Sequence, residues 1–364
     1  MNKSITFVLS SSGQHPVGGF RIVYEYGNRL AKRGWNVSIV HPAHLWPAWQ
    51  KTQLLKKLRS LISFTRRLLT RGYLPNKWMS MNPSITMLWV PSLEEKFMPC
   101  SDILVVCPVE SALHASNYAA NKGKKFYFIQ HFEDWNLNKE LVESSWKLPF
   151  QKIVIAKWLQ DIAHSLNQKA IYIPNGMDFS FFKTLKKSSE RTPRSICFLY
   201  HTLPWKGSQL AVDAMVHLKE KYPELTVTTF SAQPITKPLP DFITIHIDPE
   251  QDVLRNIYNT HSIFISPSFA EGWPLPPAEA MLCGCVVIAT DIGGHREYLK
   301  DGTNGIFCKP GSVESIIEKV EFVFNNPQFA ANISAHAPES LQMFDWDSRV
   351  DLFEKAILGI ETGG

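Results

Sequence analysis

Two carboxylates, Glu271 and Glu279, stand with seven residues between them in the stretch Ser266-Pro-Ser-Phe-Ala-Glu-Gly-Trp-Pro-Leu-Pro-Pro-Ala-Glu-Ala-Met-Leu-Cys-Gly. Residues 262–265, with Ile263, Phe264 and Ile265 in a row, predict a buried strand ahead of the loop, and the pattern after it predicts a helix over 277–283. One glutamate is then expected on a turn-rich loop and the other in the first turn of a helix. A carboxylate accepts hydrogen bonds through two oxygens, so the pair can hold hydroxyl groups at two points of one elongated ligand. Between them a helix start offers unpaired N–H groups and a positive dipole end, which suit an anion. Two hydroxyl-rich ends around an anionic middle describe a nucleotide sugar.

Such groups need a rigid frame, and the chain carries the pattern of one twice. Ile5 to Leu9 reads as a core strand, not a secretory leader, because its short apolar run ends in a Ser/Gly loop over 10–19. Ile22, Val23, Tyr26 and Leu30 then recur at helical spacing up to Gly34, and Val37 to Val40 is the next strand. This is a βαβ unit with Gly18 and Gly19 at a strand's carboxyl end, where open α/β sheets bind ligands. Further strands are expected at 85–90, 103–107, 125–130, 153–155 and 170–173, with helical stretches between them. Residues 183–194 are polar, lack a core pattern and read as a linker. A second alternating series follows, with strands at 195–200, 225–230, 243–247, 262–265 and 285–289. Its helices are expected at 207–220, 250–258, 277–283 and 312–324, and a last helix over about 347–358. At 364 residues, two α/β domains are expected, each a Rossmann-like, doubly wound parallel sheet, facing a central cleft.

Charge is unevenly spread. The net charge is +5, yet residues 1–93 hold thirteen Lys or Arg against one acid, Glu25, so the remainder is net negative. A basic half points to an anionic partner. Much of it lies in residues 50–73, which contain seven Lys or Arg and no acid. Leu54, Leu55, Leu58, Leu61, Ile62, Leu68 and Leu69 share one helical face there, and Trp46 and Trp49 precede it. Two readings compete for these leucines: a helix lying in an anionic membrane interface, or an amphipathic helix packed on the first sheet. No run of eighteen apolar residues predicts a membrane span. The six cysteines include no CxxC pair, so free thiols in a reducing cytosol are expected and no zinc site at Cys283 and Cys285. No helix-turn-helix, zinc-finger or RNA-binding signature accompanies the basic half, so no nucleic-acid partner is expected.

Several further segments complete the pattern: Pro16-Val-Gly-Gly, Ile155-Ala-Lys-Trp-Leu, Ile173-Pro-Asn-Gly-Met-Asp, Pro204-Trp-Lys-Gly, Cys283 to Leu299 and Asp301-Gly-Thr-Asn-Gly. In this order and at these intervals, and with the 268–281 segment, the chain resembles the retaining glycosyltransferases of family 4 with the GT-B fold. The resemblance implies an acceptor-side domain over 1–185 plus a crossover helix over 345–364, and a nucleotide-sugar domain over 186–344. It implies that Glu279 accepts the ribose hydroxyls and that Glu271 meets the donor sugar near the reacting carbon. The N–H groups of Gly272, Trp273 and Leu275 would face that sugar, whereas Pro274 has none to offer. Lys206 matches the diphosphate-binding lysine, and His131 matches a histidine near the sugar's outer hydroxyl. Gly18 and Gly19 would approach the phosphates. The family's arginine five residues before the lysine is replaced here by His201, which gives fewer donors and less charge. Glu133 and Asp134, near His131, are candidates to meet the acceptor.

The implied reaction is transfer of a sugar from a nucleoside diphosphate sugar to a hydroxyl of a glycan or lipid-linked glycan, with retention and without a metal or other cofactor. A role in cell-surface polysaccharide or glycoconjugate synthesis is expected, in the cytoplasm or at the inner face of the cytoplasmic membrane. Alternatives are a sugar-nucleotide epimerase or a phosphorylase on the same two-domain plan, or a nucleotide-sugar-binding protein without catalysis.

Overall fold

A computed structural model describes residues 3–44, 54–135 and 137–360, without the side chains of 54–57. Trp46, Trp49 and residues 50–53 lie outside the described residues. The chain divides into two compact units, Met1–Pro174 with Ser348–Gly364, and Asn175–Asp347. The chain passes into the second unit after Pro174, ahead of the boundary expected at 185, and returns at Ser348.

The first unit holds seven strands among the described residues: β1 (Ser4–Val8), β2 (Asn36–Pro42), β3 (Thr86–Val90), β4 (Ile103–Val106), β5 (Lys124–Ile129), β6 (Gln151–Val154) and β7 (Ala170–Tyr172). They are parallel, in the order β3-β2-β1-β4-β5-β6-β7. The second unit holds β8 (Ser195–Leu199), β9 (Thr226–Ser231), β10 (Ile243–Ile247), β11 (Ile263–Ser266), β12 (Val286–Thr290) and β13 (Ile306–Cys308). These are also parallel, in the order β10-β9-β8-β11-β12-β13. Both sheets therefore start at an inner strand, run to one edge, then return to the centre and run to the other. That is the Rossmann-like, doubly wound plan expected from the alternating pattern. Central strands of this kind are covered on both faces, which is why 103–106 and 263–265 read as unbroken apolar runs. In the second unit Ile196, Phe198, Ile263, Ile265 and Ile288 meet Met215 and Leu218 of the Ser208–Lys221 helix in one core.

The Trp346–Leu358 helix brings the chain back to the first unit. There Phe353 packs on Tyr26 at 4.4 Å, Phe128 at 5.9 Å and Phe7 at 6.1 Å between ring centroids. Arg33 pairs with Asp351 and Glu354 at 2.6 and 3.1 Å. The segments that leave and rejoin the first unit pair with each other: Met177 N–H donates to the Phe344 carbonyl at 2.8 Å. Gly176 lies against the Trp346 indole so closely that a Cβ there would come within 2.3 Å of the ring.

Two expectations change. Residues 183–194 are not a loose linker: they belong to the second unit, and Arg191 is buried in it. Its guanidinium donates to the carbonyls of Tyr258 (2.8 Å), His261 (2.9 Å), Lys186 (3.1 Å) and Cys283. It thus caps the carboxyl ends of the Gln251–Thr260 and Leu275–Leu282 helices, where unpaired carbonyls and the negative dipole end favour a cation. A polar stretch gives no sign of an arginine used this way. The sequence pattern also missed β13 and the Pro327–Ser340 helix, whose internal Pro338 interrupts the helical signal.

The basic helix is Leu54–Thr70. Part of its apolar face is open. Leu58, Leu61, Ile62, Leu68 and Leu69 are exposed, Ile62 by 59% and Leu69 by 79%. The helix meets β3 through Phe64, stacked on Trp89 at 6.0 Å, and through Arg67, which lies 5.7 Å over Trp89 and donates to Ser12 Oγ at 3.2 Å. Among the described residues no helix is long and apolar enough to cross a membrane.

Candidate active site

The order of the second sheet reverses between β8 and β11, and open α/β sheets bind ligands outside the carboxyl ends of such a pair. The chain leaving β8 runs through His201 to Lys206, and the chain leaving β11 runs through Ser268 to Glu271. The two meet. Lys206 Nζ donates to both oxygens of Glu271, at 2.8 and 2.9 Å, across 65 residues of sequence. Ser268 Oγ adds a third donor at 2.7 Å. Burial pushes the Glu271 carboxyl up, but the charge and hydrogen bonds of Lys206 and the Ser268 hydroxyl outweigh it, leaving the group below the ordinary glutamate value. Glu271 is therefore ionised at pH 7, paired with Lys206.

The backbone explains how these loops come so close. Gly207 adopts a left-handed φ of 63°, and a Cβ there would stand 2.2 Å from the Pro267 carbonyl. Gly294 lies against Glu271 in the same way, 2.5 Å from its carbonyl to a would-be Cβ. Behind them His295 is fully buried between two strand ends. Its Nδ1–H donates to the Thr290 carbonyl at 2.8 Å, so Nε2 receives the Ser266 hydroxyl at 2.9 Å. Burial pushes this imidazole down to about 4, so it is neutral at pH 7. His295 thus braces the segment that presents Glu271. Sequence reasoning assigned it no role, since a histidine after two glycines has no periodic signal.

Glu279 lies on the Leu275–Leu282 helix, which begins two residues earlier than expected. Glu279 is its fifth residue and not part of its first turn. Only 3% of its surface is exposed, and it receives the Tyr258 hydroxyl at 3.4 Å. A carboxylate this deep is not explained by a surface acid favouring the helix dipole. Gly272 and Trp273 are buried, and Leu275 is the first residue of the helix. The Trp273 indole packs on Tyr298 at 4.7 Å and Phe344 at 5.5 Å, and its Nε1–H is buried without a hydrogen-bond partner. Tyr298 donates to the Pro274 carbonyl at 2.9 Å, fixing the turn that separates the two glutamates.

His201 serves the loop locally. Its Nδ1 accepts the Leu203 N–H at 3.1 Å, and its backbone N–H and carbonyl are both engaged by Ser208 Oγ. Burial, then the charge of Lys206, lower its pKa against a smaller opposing effect of Glu271. A neutral imidazole that accepts through Nδ1 does not supply the charge of the missing arginine.

The remaining predicted site residues belong to the first unit. Gly18 and Gly19 are the first two residues of the Gly18–Lys32 helix, not part of the preceding loop. Gly19 is tied to the end of β5 by Gln130, whose Nε2 donates to the Gly19 carbonyl at 3.1 Å. His131 follows Gln130. Its Nδ1–H donates to the Phe132 carbonyl at 3.0 Å, and its ring lies edge to face with Trp135 and Trp158, at 4.6 and 5.5 Å. Cys283 and Cys285 are both buried, and Cys285 Sγ donates to the Tyr258 carbonyl at 2.9 Å.

Comparison with known proteins places the chain among glycosyltransferases. Residues 238–340 match the family described as Glycosyl transferases group 1. An uncharacterized glycosyltransferase of Methanocaldococcus jannaschii is 23% identical over 217 residues, 57% of this chain and 57% of the relative. The N,N'-diacetylbacillosaminyl-diphospho-undecaprenol alpha-1,3-N-acetylgalactosaminyltransferase of Campylobacter jejuni is 21% identical over 275 residues, 65% of this chain and 73% of that one. The chain thus spans little more than half of the first of these relatives. Among solved structures, Anabaena HepE in complex with UDP and glucose superposes with a TM-score of 0.74 and 15% identity, covering 98% of this chain and 100% of that chain.

Proposed function

We propose that this chain, which belongs with the glycosyl transferases of group 1 and has the GT-B fold, moves a sugar with retention from a nucleoside diphosphate sugar to a hydroxyl of a glycan or lipid-linked glycan. The observation that carries this reading is the Lys206–Glu271 pair at the switch point of the second sheet, with buried Glu279 on the adjoining helix. Glu279 takes the ribose diol, Glu271 the donor sugar, and Lys206 the diphosphate. As the glycosidic bond breaks, negative charge grows on the leaving phosphate, and a fixed ammonium stabilises it without reorganising. The leaving oxygen accepts the acceptor's proton, so the protein contributes position and charge and needs no metal for the proton's path. With His201 neutral, the cationic part of phosphate binding rests on Lys206. The Anabaena complex supports a nucleotide-sugar donor, and the Campylobacter relative supports a lipid-linked acceptor.

A thermal-shift panel of UDP, GDP, dTDP and their sugars tests the donor assignment. One base should raise Tm well above the others, and free nucleotide should be released when its sugar is incubated with acceptor glycans. A panel in which nothing shifts Tm ends the donor assignment.

The exposed apolar face of the Leu54–Thr70 helix, on a segment with seven basic residues and no acid, supports a peripheral position on an anionic membrane. Each basic residue near such a surface adds about 1 kcal/mol. Replacing Leu58, Ile62 and Leu69 together by Ser is expected to lower partitioning onto phosphatidylserine-containing vesicles at least roughly ten-fold, since about 0.8 kcal/mol is lost per buried methylene. Sedimentation of the variant with vesicles as complete as that of the parent would refute the membrane role.

A further inference from the structure

Where the loops after β8 and β11 join, Lys206 brings one positive charge, Glu271 one negative charge and His201 none. The three sum to zero. The ion pair is largely withdrawn from water, since Lys206 keeps 24% of its side-chain surface and Glu271 11%. The carboxylate is also fixed. Ser268 Oγ donates to it at 2.7 Å, and Gly294 lies so close that a Cβ there would stand 2.9 Å from the Glu271 Cβ. An ammonium has three N–H donors, and Glu271 takes two of them. A phosphate that reaches the third meets an ammonium whose charge is already matched.

Sugar transfer changes the charge that such a site must hold. The bond between the anomeric carbon and the β-phosphate oxygen breaks, and its electron pair stays on that oxygen. The acceptor's proton, taken up there, passes to solvent, because the second ionisation of a terminal phosphate lies near about pH 6. The product nucleoside diphosphate thus carries nearly one more negative charge than the donor. A lysine by itself would attract that charge and retain the product. A carboxylate fixed on the same ammonium opposes the attraction at similar range. The added charge then sits in a half-buried place without a net countercharge, and its lost solvation is not returned. His201 stands where the resemblance places an arginine, so no second cation there outweighs Glu271.

We propose that Glu271, through its ion pair with Lys206, discriminates by charge between the donor and the spent nucleotide, weakening the hold on free nucleoside diphosphate. Resting on the assignment of Lys206 to the diphosphate, this gives Glu271 a second task beside contact with the donor sugar: release of the product.

Isothermal titration calorimetry on the full chain at pH 8 compares UDP, GDP and dTDP with their β-methyl esters, which have the donor's charge and no sugar. The parent is expected to bind the ester of its preferred base roughly ten-fold more tightly than the free diphosphate. Glu271→Gln should abolish or reverse that preference and bind the free diphosphate roughly ten-fold more tightly than the parent does. Glu271→Asp keeps the charge and should keep the preference. Lys206→Ala should weaken both ligands. A parent that binds free diphosphate as tightly as its ester overturns the proposal, and that comparison needs no variant to fold. A Glu271→Gln protein that keeps the preference, or binds free diphosphate more weakly than the parent, overturns the proposal alone. Nucleotide binding that Lys206→Ala leaves intact overturns the diphosphate role of Lys206, and a parent that binds none of these ligands overturns the donor assignment; the proposal falls with either.

Discussion

Glu279→Ala is expected to abolish most of the thermal stabilisation by the preferred nucleotide. Hydrogen bonds to a charged group contribute about 1.5–3 kcal/mol each, so losing a carboxylate that holds a vicinal diol should weaken binding by about 3 kcal/mol, or roughly 100-fold. At a ligand concentration of about 100 Kd, that removes most of a stabilisation of about 2.7 kcal/mol. The unliganded variant will also be less stable, because the Tyr258 hydroxyl, in a fully buried side chain, loses the carboxylate it donates to. An unsatisfied buried donor costs about 1–3 kcal/mol. The two effects separate cleanly: the first appears in the ligand-induced shift, the second in the baseline. Glu279→Gln keeps an acceptor for Tyr258 and should recover the baseline but not the full shift. A Glu279→Ala protein whose nucleotide shift matches that of the parent would exclude the ribose role.

Lys206→Ala is expected to lower turnover by about 10²–10³-fold, the usual cost of removing one preorganised group that stabilises transition-state charge. Single-turnover kinetics with enzyme in excess over donor would measure it, and turnover within a few-fold of the parent would remove Lys206 from the chemistry. The substitution has a second consequence, set by Glu271. In the parent, Lys206 and Ser268 hold this carboxyl below its ordinary value despite burial. A depressed carboxyl contributes stability above the unfolded pKa of about 4.3, and that stability is lost as pH falls through the folded value. Without Lys206, burial acts with less opposition and raises the carboxyl, so the variant loses stability as pH rises through the ordinary range. The Tm difference between parent and variant should therefore be large at pH 7 and shrink below about pH 4. A pH-independent difference would mean that the pair contributes no charge-dependent stability.

Much of the frame was legible in the sequence. Unbroken apolar runs such as 103–106 and 263–265 mark strands covered on both sides, and helical spacing between them marks the crossovers, so two doubly wound sheets follow from local pattern. The predicted strands fall within a few residues of those observed. What failed locally failed for local reasons. Pro338 breaks the pattern of a helix that nonetheless forms, and β13 is three residues long, too short for alternation to register. Residues 183–194 look like a linker because an arginine that satisfies four carbonyls is indistinguishable, by type, from one in water.

The site divides along the same line. That Glu271 and Glu279 flank a helix start could be read directly, because a strand, a proline-rich loop and a helix follow one another in the chain. The Lys206–Glu271 bond could not, since its partners are 65 residues apart and meet only because β8 and β11 are neighbours at the reversal of the sheet. The same holds for His295 behind Ser266, for the rings around His131, and for the leucines of the basic helix. Periodicity showed that those leucines share a face, but not whether anything covers it. The sequence by itself determined the elements and their order, because backbone geometry and side-chain period act over a few residues. The tertiary structure alone decided which charges pair, which histidines are neutral and which apolar surfaces stay open, because those depend on contacts and burial that chain order does not encode.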